Sequence, residues 1–358
     1  MSRAHNFSAG PAVLPLSVVE QLQAALPDFQ GCGMGLMELS HRSATFDAVH
    51  RSAEERLRRI LGIPEDYAVL FLQGGASLQF HMVPLNLLTP GESADFILTG
   101  VWTKKALAEA QRSRAGQAIW SGEEAGYTSV PQTVTPSGGA TYLHYTTNNT
   151  IYGTQFTQAP EAGELPLVAD MSSDICSRPI DVARHGVIFA GAQKNLGPSG
   201  VTAVILSPWA LEKASGDLNP MLDYRLQVDK RGLFNTPNTF GIYALERVLA
   251  WVEDLGGITG MATRNQAKAH KLYAQIDSTD FWSGHASLES RSEMNVAFCS
   301  PSADLDAAFV AQADAEGFKG LKGHRSVGGL RASIYNACPP ESVEALVGFM
   351  ADFEARRG

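Results

Sequence analysis

The chain has 358 residues, 44% of them hydrophobic and 18% charged, ordinary globular usage for about two domains that excludes an intrinsically disordered protein. Lys and Arg number 28 against 37 Asp and Glu, a formal net charge of −9, so neither nucleic acid nor an anionic membrane surface is an expected partner. The four cysteines are widely spaced, the first residues lack the apolar core of a signal peptide, and no run approaches the ~18 apolar residues of a membrane span, so a cytoplasmic location is expected.

Residues 1–15 read as an N-terminal arm. The stretch 15–26 is a candidate helix, and whether 16–30 packs on a later, smaller domain is left open by its own sequence. Short apolar or β-branched runs ending in Gly, Ser, Asn or Asp then recur at 68–75, 94–100, 117–122, 141–149, 165–173, 186–194 and 201–206. With helical composition at 103–112 and gaps of crossover length, they predict an α/β sheet of about seven mostly parallel strands. Only residues 192–200, containing Gly197-Pro198 and Gly200, separate the last two runs, which predicts an antiparallel return. Gly256-Gly257 marks the expected boundary between a large domain, 16–255, and a small C-terminal α/β domain, 256–358. The small domain holds strand-like runs at 293–300 and 330–336 and helices at 261–277, 304–316 and 340–356, the last starting after Pro339-Pro340.

Open α/β sheets bind ligands at the carboxyl ends of their strands, and those ends are polar here. Gly74-Gly75-Ala76-Ser77 opens a helix-like stretch, a geometry that suits either a phosphate or a tight strand-to-helix turn. Asp170 and Lys194 each follow an apolar run, as a structural ion pair would or as pyridoxal-phosphate chemistry would, with the lysine forming a Schiff base and the aspartate holding a pyridinium nitrogen. Trp102 is then a flat surface for the ring, or simply core. Lys319, Lys322, His324, Arg325 and Arg331 form one basic cluster and His41-Arg42 another; they are solvated loops or receptors for a small anion. No H-E-x-x-H or zinc spacing is present, so no metal is expected, and the nucleotide-binding and hydrolase motifs G-x-G-x-x-G, G-x-x-x-x-G-K-[ST] and G-x-S-x-G are absent.

Gly191-Ala-Gln-Lys194-Asn and Lys322-Gly-His-Arg-Ser-Val-Gly-Gly-Leu-Arg331 stand with Glu38-Leu-Ser-His-Arg42-Ser, Gln73-Gly-Gly-Ala-Ser77, Asn148-Asn-Thr150, Asp170-Met-Ser-Ser and Phe234-Asn-Thr-Pro237. Over nearly the whole chain this set resembles the phosphoserine aminotransferases. The resemblance implies the type I pyridoxal-phosphate aminotransferase fold, assembled as a homodimer with the site at the interface. It implies that Lys194 carries pyridoxal 5′-phosphate, Asp170 pairs with the ring nitrogen, Trp102 stacks, and Thr150 bonds near the ring hydroxyl. Ala76, Ser77 and Gln193 would hold the cofactor phosphate, with Asn235 and Thr236 reaching in from the partner subunit. Arg331 is expected on the substrate α-carboxylate and His41, Arg42, His324 and Arg325 on its distal anion. The implied reaction exchanges the amino group of L-glutamate with 3-phosphohydroxypyruvate in serine biosynthesis; the resemblance leaves the related four-carbon phosphorylated acid of vitamin B6 synthesis open as a second substrate. Some members carry Arg where this chain has Ser77. Within the fold, an alanine– or serine–glyoxylate aminotransferase or a cysteine desulfurase is the alternative; outside that chemistry, a nicotinamide-dependent dehydrogenase or a silent anion-binding scaffold.

Overall fold

The computed structural model describes residues 3–357. In chain order its elements are β1 (His5–Asn6), α1 (Leu16–Ala25), α2 (Ala44–Leu61), β2 (Ala68–Leu72), α3 (Gly75–Leu87), β3 (Ser93–Leu98), α4 (Val101–Ser113), β4 (Gly116–Ser121), β5 (Ala140–Thr146), β6 (Asn148–Asn149), β7 (Thr154–Gln155), β8 (Leu167–Asp170), β9 (His185–Gly191), β10 (Thr202–Leu206), α5 (Pro208–Lys213), α6 (Tyr224–Asp229), α7 (Thr239–Asp254), α8 (Gly257–Asp277), β11 (Ser283–Gly284), β12 (Asn295–Cys299), α9 (Ala303–Ala315), β13 (Phe318–Lys319), β14 (Leu330–Ser333) and α10 (Pro340–Arg357).

The seven strands expected from the apolar runs form one sheet in the order β2-β10-β9-β8-β5-β3-β4. All pairs are parallel except those of β10, which is antiparallel to both β9 and β2, with Thr202 opposite Gly191 as the short 192–200 return requires. Alternating residues feed two cores, the reason these strands read as continuous apolar runs. Ile188 and Ala190 of β9 face the layer containing α2 and α7, while Val187 and Phe189 face the layer of α3, α4 and α5.

The arm and α1 divide differently from the candidate packing of 16–30 on the small domain. Val18, Leu22 and Ala25 lie on one side of α1 and join the large-domain core, where Phe29 meets Tyr243 of α7 edge-on at 5.1 Å. The arm reaches the small domain instead. Its β1 pairs in parallel with β13, and Phe7 is buried among Trp282, Phe309 and Phe353. The boundary is also less sharp than Gly256-Gly257 suggests, since Met261 of α8 belongs to the large core and Ala269, Leu272 and Ile276 to the small one. Helix α8 therefore joins the two units.

Candidate active site

Four adjacent strands, β9, β8, β5 and β3, deliver Lys194, Asp170, Thr146 and Trp102 at or just beyond their carboxyl ends. These residues and the first turn of α3 line a cavity of about 140 Å³, together with Asn148, Ser172, Ser173 and Gln193. At the head of α3, Gly74 has φ +87°, and a Cβ there would meet the Leu78 side chain at 2.5 Å. A left-handed glycine makes this sharp entry feasible, and it turns the unpaired first amides of α3, at Gly75, Ala76 and Ser77, toward the cavity.

The amine of Lys194 donates to Oγ1 of Thr150 at 2.6 Å and lies 6.0 Å from the centroid of the Trp102 ring. Burial pushes its pKa down to about 8, opposed by the negative charge of Asp170 and aided by Arg331. Burial raises the pKa of Asp170, while its bonds with Ser172 and the charge of Lys194 pull the other way. The Ser172 N–H donates to Asp170 Oδ1 at 3.0 Å, fixing the carboxylate at the strand end. A buried amine shifted toward neutrality beside a buried carboxylate is the arrangement expected of working groups.

Arg331, on β14, donates from Nη1 to the carbonyl of the same Thr150 at 3.2 Å, and its Nε is buried without a partner. The loop carrying His324 and Arg325 packs on the start of α4, where Val327 and Val101 share a cluster with Tyr127, Ile151 and Tyr152. Burial lowers the pKa of His324, helped by the charges of Arg331, Arg325 and Lys105. His41 and Arg42 lie in the turn before α2, and Asn235 and Thr236 lie before α7. None of these four lines the cavity of its own chain, and the Asn235 side chain donates to Gln73 Oε1 at 2.9 Å.

Sequence reading missed several contributors. Asp174 accepts from Thr147 Oγ1 and from Gln155 at 3.0 Å, and its charge reaches Lys194. Asn148 is buried and donates to Ser173 Oγ and Asn295 Oδ1, each at 2.8 Å, stiffening the loop that ends in Thr150. The arm also passes over the lysine: the Ala12 N–H donates to the Gln193 carbonyl at 2.8 Å, and Tyr335 donates to that of Ala9 at 2.7 Å. The polar run 146–150 and the Asp170/Asp174 spacing were the available signals, but both depend on partners from distant segments.

The family model for class V aminotransferases matches residues 4–346. The phosphoserine aminotransferase of Geobacillus kaustophilus is 54% identical over 359 residues, covering 99% of both chains. This chain belongs to the phosphoserine aminotransferase family. The solved phosphoserine aminotransferase of Bacillus circulans subsp. alkalophilus superposes with a TM-score of 0.97 at 49% identity, covering 99% of each chain. Another phosphoserine aminotransferase, whose structure addresses radiation damage of its Schiff base, gives 0.96 at 47% identity over 99% of this chain and 100% of that one. The cofactor of the family is pyridoxal 5′-phosphate, and the cavity fits it. A desolvated lysine, a buried carboxylate and a helix N-terminus converge on it, and Trp102 Nε1 and Thr146 Oγ1 are buried there without hydrogen-bond partners.

Proposed function

We propose that this protein transfers the amino group between L-glutamate and 3-phosphohydroxypyruvate, giving O-phospho-L-serine and 2-oxoglutarate. The observation that carries the reading is that Thr150 receives both Lys194, at its hydroxyl, and Arg331, at its carbonyl. A carboxylate receptor is thereby held one residue's breadth from an amine that can move a proton. The family's membership and its cation set favour a substrate with anions at both ends. Glyoxylate and alanine carry no distal anion for His324 and Arg325, which weighs against the glyoxylate alternative.

When bound, pyridoxal phosphate supplies a carbonyl for the Schiff base and a ring that withdraws electrons from the substrate Cα. Ala76, Ser77 and Gln193 would hold its phosphate, Asp170 would keep its ring nitrogen protonated, and Trp102 and Thr150 would bind the ring. Arg331 orients the α-carboxylate. Lys194 Nζ would take the proton from Cα of glutamate and return it two atoms along, across the nitrogen, and would perform the reverse transfer for the phosphorylated keto acid, giving ping-pong kinetics.

A homodimer completes the site. Asn235 and Thr236 do not line the cavity of their own chain, and Phe234 beside them and Met37 near His41-Arg42 are exposed apolar side chains, as expected of segments that cover a partner's site. Among the described residues no helix is long and apolar enough to cross a membrane, in keeping with a cytoplasmic enzyme. The four-carbon phosphorylated acid of vitamin B6 synthesis fits the same pair of anion receptors.

The test is an absorbance spectrum of the purified protein with pyridoxal phosphate. A visible band that glutamate bleaches and 3-phosphohydroxypyruvate restores is expected, and a protein that stays colourless refutes the reading. Lys194→Ala should abolish turnover while the protein remains folded; full turnover in that variant would remove the Schiff-base assignment.

A further inference from the structure

Helix α4 starts at the rim of the cofactor cavity and carries two consecutive lysines with different surroundings. Lys104 pairs with Glu123, and its amine lies 5.7 Å from the ring centroid of Tyr127. Lys105 is exposed and has no carboxylate within ion-pair distance among the described residues. Its Nζ lies 4.6 Å from the ring centroid of Trp102, three residues earlier. Helical side chains lean toward the N-terminus of their helix, so the lysine reaches back over Trp102, a residue that lines the cavity. In a chain of net charge −9, this is a cation without an ion-pair partner among the described residues, stacked on a side chain of the site's lining.

The basic loop approaches the same helix end. Val327 and Val101 pack in one cluster, and the positive charges of Arg331, Arg325 and Lys105 all act on His324. Cations brought together from α4, β14 and the loop before it repel one another unless an anion joins them.

We propose that Lys105 is a specificity-determining residue that binds the phosphate of the phosphorylated keto acid. The assignment rests on the transamination reading above and adds a cation that no sequence motif singled out. A lysine reads phosphate as a point charge, and a phosphate monoester carries nearly twice the charge of a carboxylate at neutral pH. Removing the lysine therefore costs the phosphorylated acceptor more than 2-oxoglutarate, and leaves pyruvate, which has no distal anion, unaffected.

The experiment measures the holoenzyme with all three acceptors, together with the dissociation constant of O-phospho-L-serine from spectral titration. In Lys105→Gln the KM for 3-phosphohydroxypyruvate should rise about tenfold, the size expected of one partly solvated charge acting on a dianion, with kcat little changed. The KM for 2-oxoglutarate should rise about threefold by the same reasoning. The dissociation constant should weaken in parallel with the larger change, Lys105→Arg should restore it, and Lys104→Gln should alter nothing. Equal losses on all three acceptors would overturn the assignment, because Lys105 would then act only by holding Trp102; an unchanged KM for the phosphorylated acceptor would overturn it as well. Failure of the functional reading is distinguishable, since wild-type protein would then turn over pyruvate and not 3-phosphohydroxypyruvate before any variant is compared.

Discussion

The hydrogen bond from Lys194 to Thr150 adds to the balance of burial and charge that fixes the state of the amine, and Thr150→Val measures by how much. Burial has already brought the amine down to about 8, with the charge of Asp170 opposing. The hydroxyl oxygen 2.6 Å away accepts from the amine, and it accepts more strongly from an ammonium than from a neutral amine. Hydrogen bonds with a charged partner contribute ~1.5–3 kcal/mol against ~0.5–1.5 for neutral pairs, so the bond favours the protonated form by ~1 kcal/mol. At about 1.36 kcal/mol per unit that is somewhat less than one pK unit. Valine keeps the shape and removes the acceptor, so the pKa falls. The neutral amine is the nucleophile, so the rate at which cofactor-free protein captures pyridoxal phosphate should reach half its maximum at a pH about 0.5–1 unit lower in the variant. Following growth of the visible band across a pH series reads this midpoint separately from the amplitude, which the lost contact to the cofactor also affects. Thr150→Ser should keep the wild-type midpoint. A midpoint that stays put or rises in a folded Thr150→Val protein would refute the reasoning.

Two further outcomes concern the frame around the site. Gly153 has φ +68°, and a Cβ there would stand 2.7 Å from the Asn295 carbonyl oxygen, so Gly153→Ala should destabilise by roughly 1–3 kcal/mol; an unchanged urea midpoint would contradict this. Lys268 is buried and donates to the carbonyls of Ile334 at 2.8 Å, Tyr335 at 2.6 Å and Cys338 at 3.3 Å, and burial lowers its pKa to about 7. Between about pH 7 and the ordinary lysine value the unfolded chain therefore binds the extra proton, and this group makes stability rise with pH. Lys268→Met should lose that rise while lowering overall stability, and an undiminished slope in urea titrations across that window would count against the burial account.

Much of the large domain was legible because its chemistry is local. Each central strand is buried on both faces, so its residues are nearly all apolar, and the polar residue that follows marks the strand end; Asp170, Lys194 and the Gly74-Gly75 turn were found on that basis. The antiparallel β10 was legible from loop length. Strand order was not, because nothing within β5 encodes that β8 and β3 flank it. The packing of α1 on α7 and of β1 on β13 was equally hidden, since each joins segments more than 200 residues apart. Lys105 illustrates the same limit: nothing in the sequence distinguishes it from Lys104 beside it, and only the ion pair of one lysine and the tryptophan under the other separate them.

The structure also ties Arg331, the proposed carboxylate receptor, to Lys194 through the protein itself. Asn195, next to Lys194, donates to the Ile175 carbonyl at 3.1 Å and accepts from the Asn336 N–H at 3.0 Å. Asn336 in turn donates to the Cys176 carbonyl and accepts from Asn265 of α8, each at 2.8 Å. Strand β14, which carries Arg331, leads directly into this segment, and Lys268 of the same helix holds the carbonyls between them. A displacement of the small domain would thus strain the hydrogen bonds beside Lys194 as it withdrew Arg331 from Thr150. Buried amides that lose a partner cost ~1–3 kcal/mol each, so the network resists such displacement. The distance between Arg331, the proposed receptor of the substrate carboxylate, and Lys194, the proposed proton carrier, is therefore set by α8 and the 334–338 segment, although neither need touch the substrate.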